Sequence, residues 1–173
     1  MGNVFQAGAD SMYLSNGGTA VFTEVLTLAV AELAERPWEL RFAALLSWQD
    51  QNVLGRGAVG FDLAGLDWGA TAGERAAARD FVLRVIRLAA RRHRWDELGY
   101  EPPYAPAYLR RFLELVEGFE PPAAVPPGDA LPPPAVACCT RHRVLSGLPD
   151  WEGCVFCHRD GPGPMTATAD LAR

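Results

Sequence analysis

A cluster of cysteine and histidine residues within positions 138–158 constrains this chain more than any other sequence feature. All 4 cysteines and two of the 3 histidines fall inside this window. Within it, Cys139-x2-His142 and Cys154-x2-Cys157 are separated by eleven residues. Two-residue spacing lets both side chains of a pair face one ion from a tight turn, and two such pairs complete a tetrahedral site. The pattern predicts one structural zinc ion per chain.

The window offers more potential ligands than a tetrahedral ion can use. The predicted ligands are Cys139, His142, Cys154 and Cys157, with Cys138 and His158 as alternates. Cys138 is an alternative to Cys139 because a three-residue gap to His142 is also usable. Three thiolates and one neutral imidazole would leave a zinc site with a charge of about −1.

Three other interpretations of the cysteines compete with structural zinc. The cysteines are small apolar residues that fit a protein core, and the segment CVFCH matches the C-x-x-C-H pattern of covalent haem attachment. A C-x-x-C pair is also typical of redox proteins. The first fifteen residues carry no Lys or Arg, and Asp10 lies where a signal peptide needs its apolar centre. We therefore expect a cytoplasmic protein with reduced thiols, which favours metal binding.

Apolar residues recur at three- and four-residue steps in four segments, which predicts four amphipathic helices. The first should span residues 19–35 and the second residues 37–49. A capping box at Thr71 and Glu74 predicts that the third begins at residue 72, and its pattern continues to about residue 93. The fourth should begin at Pro106 and end near Phe119.

These elements predict a mainly α fold in four parts. A compact helical domain should occupy residues 1–119, followed by a Pro-rich linker at 120–135, a zinc-binding module at 136–160 and a disordered tail at 161–173. Seven of the sixteen linker residues are proline, which excludes helix and favours an extended linker or a strap laid across the helical domain. The tail has too little apolar content to order itself.

A glycine-rich segment at residues 55–69 predicts a loop with one short strand or helical turn. Its Gly55-Arg-Gly57-Ala-Val-Gly60 matches G-x-G-x-x-G, but a helical pattern precedes it and no long helix follows, so we do not expect a dinucleotide site. Three carboxylates near this loop, Asp50, Asp62 and Asp67, are candidates for acid–base chemistry if the fold brings them together.

A row of arginines follows the third predicted helix at steps of three and four residues, and consists of Arg84, Arg87, Arg91 and Arg94. An uncompensated row would create a local positive field despite the net charge of −5. It would favour an acidic protein surface and, less strongly, the phosphates of nucleic acid. Most charged rows are only solvated helix faces, and Asp80 offers Arg84 an i,i+4 partner.

The sequence contains a metal-site pattern but no recognisable set of catalytic residues. His93 is the only histidine outside the 138–158 window, and the chain has no P-loop motif. The first hypothesis is therefore a non-enzymatic zinc-containing binding protein, such as a regulator, an adaptor or an immunity-type inhibitor of a partner protein. The alternatives are a small enzyme with a carboxylate site near the glycine-rich loop, and a nucleic-acid-binding regulator. No apolar run reaches the length of roughly 18 residues that a membrane span needs, so no membrane partner is expected.

Overall fold

A computed structural model describes residues 3–49, 60–124, 127–134, 137–147, 154–157 and 165–167. Within these residues the helices are α1 (Asn16–Leu33), α2 (Pro37–Ser47), α3 (Ala72–Ala90) and α4 (Ala105–Gly118). The strands are β1 (Asn3–Ala7), β2 (Asp10–Leu14), β3 (Gly60–Asp62), β4 (Ala137–Cys139), β5 (Val144–Ser146) and β6 (Met165–Ala167). Helical residues outnumber strand residues, so the mainly α prediction is confirmed in outline, with two small sheets added to it.

Side-chain caps determine where the helices begin. Ser15 accepts a hydrogen bond from the Gly18 backbone N–H at 3.1 Å, so α1 starts three residues before the predicted position. The predicted capping box of α3 is present, because Thr71 Oγ1 accepts from the Glu74 N–H at 3.1 Å and Glu74 Oε2 accepts from the Thr71 N–H at 2.8 Å. Caps of this kind satisfy N–H groups that have no partner inside the helix.

Helix α3 ends at Ala90, three residues before the predicted end. The chain continues with Arg92 and Arg94 in the left-handed region, at φ values of 62° and 58°. An α-helix cannot continue through residues with this backbone conformation. No helix among the described residues is both long and apolar enough to cross a membrane.

The N-terminal sheet, which the sequence analysis did not predict, has the strand order β2-β1-β3. β1 and β2 form an antiparallel hairpin, and β3 pairs with β1 in parallel. The pairing requires glycine at position 60, because a Cβ atom there would lie 1.9 Å from the Val4 carbonyl oxygen. β3 confirms the short strand expected within residues 55–69, whereas Gly55 and Gly57 lie outside the described residues.

Phe5 of β1 joins the sheet to the helices. Its ring lies edge-on to Phe22 of α1 at 5.0 Å, to Phe61 of β3 at 5.1 Å and to Phe112 of α4 at 6.3 Å. Edge-to-face contacts of this kind add to the stabilisation from apolar burial. The N-terminal hairpin is therefore part of the main core and not an appendage.

The C-terminal sheet has the strand order β5-β4-β6, with both pairings antiparallel. β6 lies within residues 161–173, which were expected to be disordered, so that expectation does not hold for Met165–Ala167. Strand pairing with β4 gives this segment backbone hydrogen-bond partners from a distant part of the chain. Composition alone does not reveal such partners.

The C-terminal sheet packs directly on the helical layer. β5 contacts both α1 and α2, and its Val144 and Leu145 are buried in the same hydrophobic cluster as the helices. The Gly147 N–H donates to Ser47 Oγ at 3.0 Å. The predicted boundary after residue 119 is therefore not a boundary of the hydrophobic core.

Part of the Pro-rich segment also contacts α2, through Arg41. Its guanidinium forms an ion pair with Asp129 and donates to the carbonyl oxygens of Leu131 and Pro132, both at 3.0 Å. Asp129 Oδ1 in turn accepts from the Asp67 N–H at 2.8 Å. These contacts tie residues 129–132 to the helical layer.

Replacement of Gly147 by Ala should destabilise the protein by about 1–3 kcal/mol, the usual effect of overpacking a core. A Cβ atom at this position would lie 2.5 Å from the Cβ of Ala44. Gly73→Ala in α3 is the control, since nothing lies within 4 Å of its added Cβ atom. Urea denaturation of both variants measures the effect, and equal stabilities would contradict the packing of this segment on α2.

Candidate metal centre

The four predicted ligands lie together in the structure. Their donor atoms are all within 4.8 Å of one another. The sulfur–sulfur distances are 3.8 Å for Cys139–Cys157 and 3.7 Å for Cys154–Cys157. The distances from His142 Nδ1 to the sulfurs of Cys139, Cys154 and Cys157 are 3.5, 3.3 and 3.5 Å.

These distances match the edges of a tetrahedron around one ion. Zinc bonds of about 2.3 Å to sulfur and about 2.0–2.1 Å to nitrogen imply edges of about 3.8 Å between sulfurs and about 3.5 Å between sulfur and nitrogen. A disulfide would need sulfurs only about 2.05 Å apart, and none of the four cysteines forms a disulfide. The arrangement therefore has the dimensions of a four-coordinate metal site.

Two short hydrogen-bonded turns present the ligands. In the first, the Arg143 N–H donates to the Cys139 carbonyl at 2.6 Å, and Arg143 adopts a left-handed conformation with φ 52°. In the second, the Cys157 N–H donates to the Cys154 carbonyl at 2.9 Å. Closure of each turn brings the first and last side chains of a C-x-x-H or C-x-x-C pair to the same side.

Burial disfavours the ionised form of these thiols when no cation is bound. Cys139, Cys154 and Cys157 are at most 2% exposed. Burial raises the pKa of Cys154 far above its ordinary value, and the neighbouring sulfurs of Cys139 and Cys157 raise it further. Three adjacent buried thiolates would repel one another, so the ionised form needs a bound cation to neutralise it.

Of the two alternates, Cys138 lies within the described residues and takes no part in the cluster. Cys138 and Cys139 are consecutive residues of β4, and side chains of consecutive strand residues point to opposite faces. Cys138 is half-buried, and its Sγ lies 3.8 Å from the carbonyl oxygen of Cys139. His158 lies outside the described residues. The structure thus brings together the four ligands assigned first from sequence spacing.

An ion-pair network connects the first turn to the segment that follows α3. Arg94 donates to the His142 and Arg143 carbonyl oxygens at 2.5 and 3.0 Å and pairs with Glu97 at 2.7 Å. Arg143 pairs with the same carboxylate at 2.8 Å. The hydrogen bond from Arg94, with a smaller contribution from Arg143, outweighs desolvation and lowers the pKa of Glu97. Sequence reasoning missed Glu97, because no spacing rule connects it to residues 46 positions away.

The predicted arginine row is largely paired. Arg84 forms an i,i+4 ion pair with Asp80 at 3.1 Å, and Arg87 pairs with Glu117 of α4 at 3.0 Å. Arg94 lies beyond the end of α3, and its side chain is only 13% exposed. The expectation of an uncompensated row on one helix is therefore wrong, and a partner-binding role for Arg84, Arg87 and Arg91 stays a prediction.

The carboxylates proposed for catalysis have local structural roles. Asp62 Oδ1 accepts from the Ala64 N–H at 2.9 Å and begins the 3-10 turn Leu63–Gly65. Asp67 Oδ1 accepts from the Gly69 N–H at 2.9 Å. Asp50 lies outside the described residues. Asp62 and Asp67 thus each stabilise the turn that follows them.

A cavity of about 190 Å³ lies between the N-terminal turns of α2 and α3. Trp38, Trp68, Glu39 and Glu74 are among the residues that line it. Both carboxylates cap helices, since Glu39 Oε2 accepts from the Arg36 N–H at 2.9 Å and Glu74 belongs to the capping box of α3. The volume is below the range of roughly 300–1,000 Å³ that is usual for small-molecule sites.

No protein-family model, no curated protein and no solved structure matches this chain. The function of the site is therefore inferred from its donor atoms, their distances and their burial.

Cys154→Ser should abolish stoichiometric binding of zinc or cobalt, because it removes one of the four donor atoms of the cluster. Cys138→Ser is the matched control and should bind one ion per chain like the parent. Elemental analysis and cobalt titration, which reports thiolate coordination by its visible absorption, measure both variants. Loss of metal from Cys138→Ser, with retention by Cys154→Ser, would contradict the assigned ligand set.

Proposed function

We propose that this chain is a non-enzymatic zinc-containing binding protein, a regulator, adaptor or inhibitor of a partner protein. One structural zinc ion, bound by Cys139, His142, Cys154 and Cys157, holds the C-terminal segments against the helices. The observation that supports this most directly is the close spacing of four donor atoms, three of them from buried cysteines, at distances that match the edges of a tetrahedron.

The donor set favours a structural over a catalytic ion. A catalytic zinc site keeps one coordination position open for water or substrate and has three protein ligands, whereas structural sites have four. Zinc also binds thiolate-rich ligand sets well, whereas the harder cations magnesium and calcium prefer oxygen ligands. Iron–sulfur clusters usually require four cysteines, and this group supplies three.

A filled site of this kind would stabilise the whole fold. Cys139, Cys154 and Cys157 belong to the same hydrophobic cluster as α1 and α2, so closing the site also fixes β4 and β5 on the helices. Binding energy contributes to folding when the unfolded chain has no preformed site. In this proposal zinc keeps the folded chain rigid. A rigid exterior suits the binding of a partner protein.

The exposed part of α3 is the proposed partner surface. Arg84 and Arg87 remain about half exposed despite their ion pairs, and Arg91 is exposed at the end of the helix. Arginine contacts carboxylates through a planar group with several donors, which suits an acidic protein partner. Nucleic acid is the less favoured partner because the chain carries a net charge of −5.

Protein purified without chelators should contain about one zinc ion per chain, and removal of zinc should strongly lower the thermal stability. Structural zinc sites in small modules bind with on the order of 10 kcal/mol or more of apparent free energy. Inductively coupled plasma mass spectrometry gives the stoichiometry, and thermal scans with and without chelator give the stability. A metal-free protein with an unchanged melting temperature would overturn the zinc centre.

Arg87→Gln/Arg91→Gln should weaken partner binding, since exposed charges steer association with an oppositely charged surface. Loss of the exposed Arg87–Glu117 pair should cost at most about 1 kcal/mol of stability. Arg110→Gln, an exposed arginine on α4, is the control. Affinity purification from the source cells, with quantitative proteomics and nucleic-acid assay of the eluate, compares the variants. If an acidic protein is recovered in equal amounts with the parent, the double variant and the control, this surface is not the interface. Recovery of nucleic acid whose binding weakens with salt would favour the alternative partner.

A further inference from the structure

Arg94 is a largely buried charged residue at the place where the turn that carries His142 meets the helical layer. It lies between α3 and the 3-10 turn Trp95–Leu98, and only 13% of its side chain is exposed. Burial of an arginine is costly unless its donors are paired. In Arg94 all three guanidinium nitrogens donate hydrogen bonds, to Glu97 and to two backbone carbonyls.

The two carbonyls belong to the turn that carries a metal ligand. They are those of His142, the proposed nitrogen ligand, and Arg143, whose N–H closes the turn onto Cys139. Fixing these carbonyls fixes the two peptide planes on the C-terminal side of the His142 Cα. The direction of the His142 side chain, and hence the 3.5 Å distance from its Nδ1 to Cys139 Sγ, depends on that backbone.

Glu97 supports the turn that carries His142 by contacting both Arg94 and Arg143. Its carboxylate binds Arg94 through two hydrogen bonds of 2.8 and 2.7 Å and pairs with Arg143 at 2.8 Å. Arg143 holds a left-handed conformation that non-glycine residues seldom adopt. The ion pair to Glu97 therefore stabilises the backbone conformation on which the first ligand pair depends.

We propose that Arg94 is a positioning residue of the metal centre, and that through it the ion's affinity is coupled to the helical layer. This inference rests on the proposed zinc site. A lysine cannot replace Arg94 fully, because only the planar fork of arginine reaches two carbonyls and a carboxylate together. Outer residues that orient ligands typically change metal affinity 10–100-fold when they are replaced.

Arg94→Ala should weaken zinc binding at least about tenfold while the stoichiometry at saturating zinc stays at one, and Arg94→Lys should lie between Arg94→Ala and the parent. Arg92→Ala is the matched control. Arg92 has the same left-handed backbone conformation, with φ 62°, but pairs with Glu101 at 2.8 Å, away from the ligand turn. Competition with a zinc chelator of known affinity measures all four proteins, and Glu97→Gln replaces Arg94→Ala if that variant does not fold.

A variant without a complete metal site distinguishes a positioning role of Arg94 from a purely structural one. Arg94→Ala should lower the melting temperature more in the zinc-loaded parent than in a Cys154→Ser background, which lacks a complete site. Equal losses in both backgrounds, or equal zinc affinities for Arg94→Ala and Arg92→Ala, would overturn the positioning role. Failure of the parent itself to bind zinc would instead overturn the metal centre.

Discussion

The group of three buried cysteines is the constraint on which the C-terminal part of the structure depends. Thiolates at separations of 3.7–3.8 Å cannot coexist in an apolar interior without a cation. Because these cysteines share the hydrophobic cluster of α1 and α2, whatever stabilises them also stabilises the packing of β4 and β5 on those helices. The candidate metal ligands and the hydrophobic core therefore belong to one interior.

The features that the sequence predicted well are those determined by nearby residues. The start of α3 follows from Thr71 and Glu74, which are three positions apart and cap each other. Each ligand pair likewise lies within one turn, so the spacing of Cys154 and Cys157 was enough to predict that their sulfurs lie together. Local spacing left Cys138 as an alternative to Cys139. The structure separates the two, because consecutive residues of β4 point to opposite faces and Cys139 lies in the cluster.

The features that the sequence did not predict depend on contacts between distant residues. β3 pairs with β1 across more than fifty intervening residues, and neither strand is long enough to show a clear alternation of apolar residues. The pairing of β6 with β4 and the contact of Arg94 with residues 142–143 are also long-range. Periodicity predicted that α3 would continue to residue 93, because the pattern does not report the left-handed backbone of Arg92 and Arg94.

Arginine is the only basic residue besides histidine in this chain, and a bias towards GC-rich codons is a sufficient explanation of that composition. The structure nevertheless uses the geometry of arginine at three places. Arg41 joins α2 to the Pro-rich segment, and Arg94 joins the end of α3 to the ligand turn. Arg79 of α3 donates to the carbonyl oxygens of Val116 and Glu117 in the last turn of α4. Each of these arginines binds two carbonyls at once through its planar group, so a composition that coding bias can explain still supplies contacts that join distant segments.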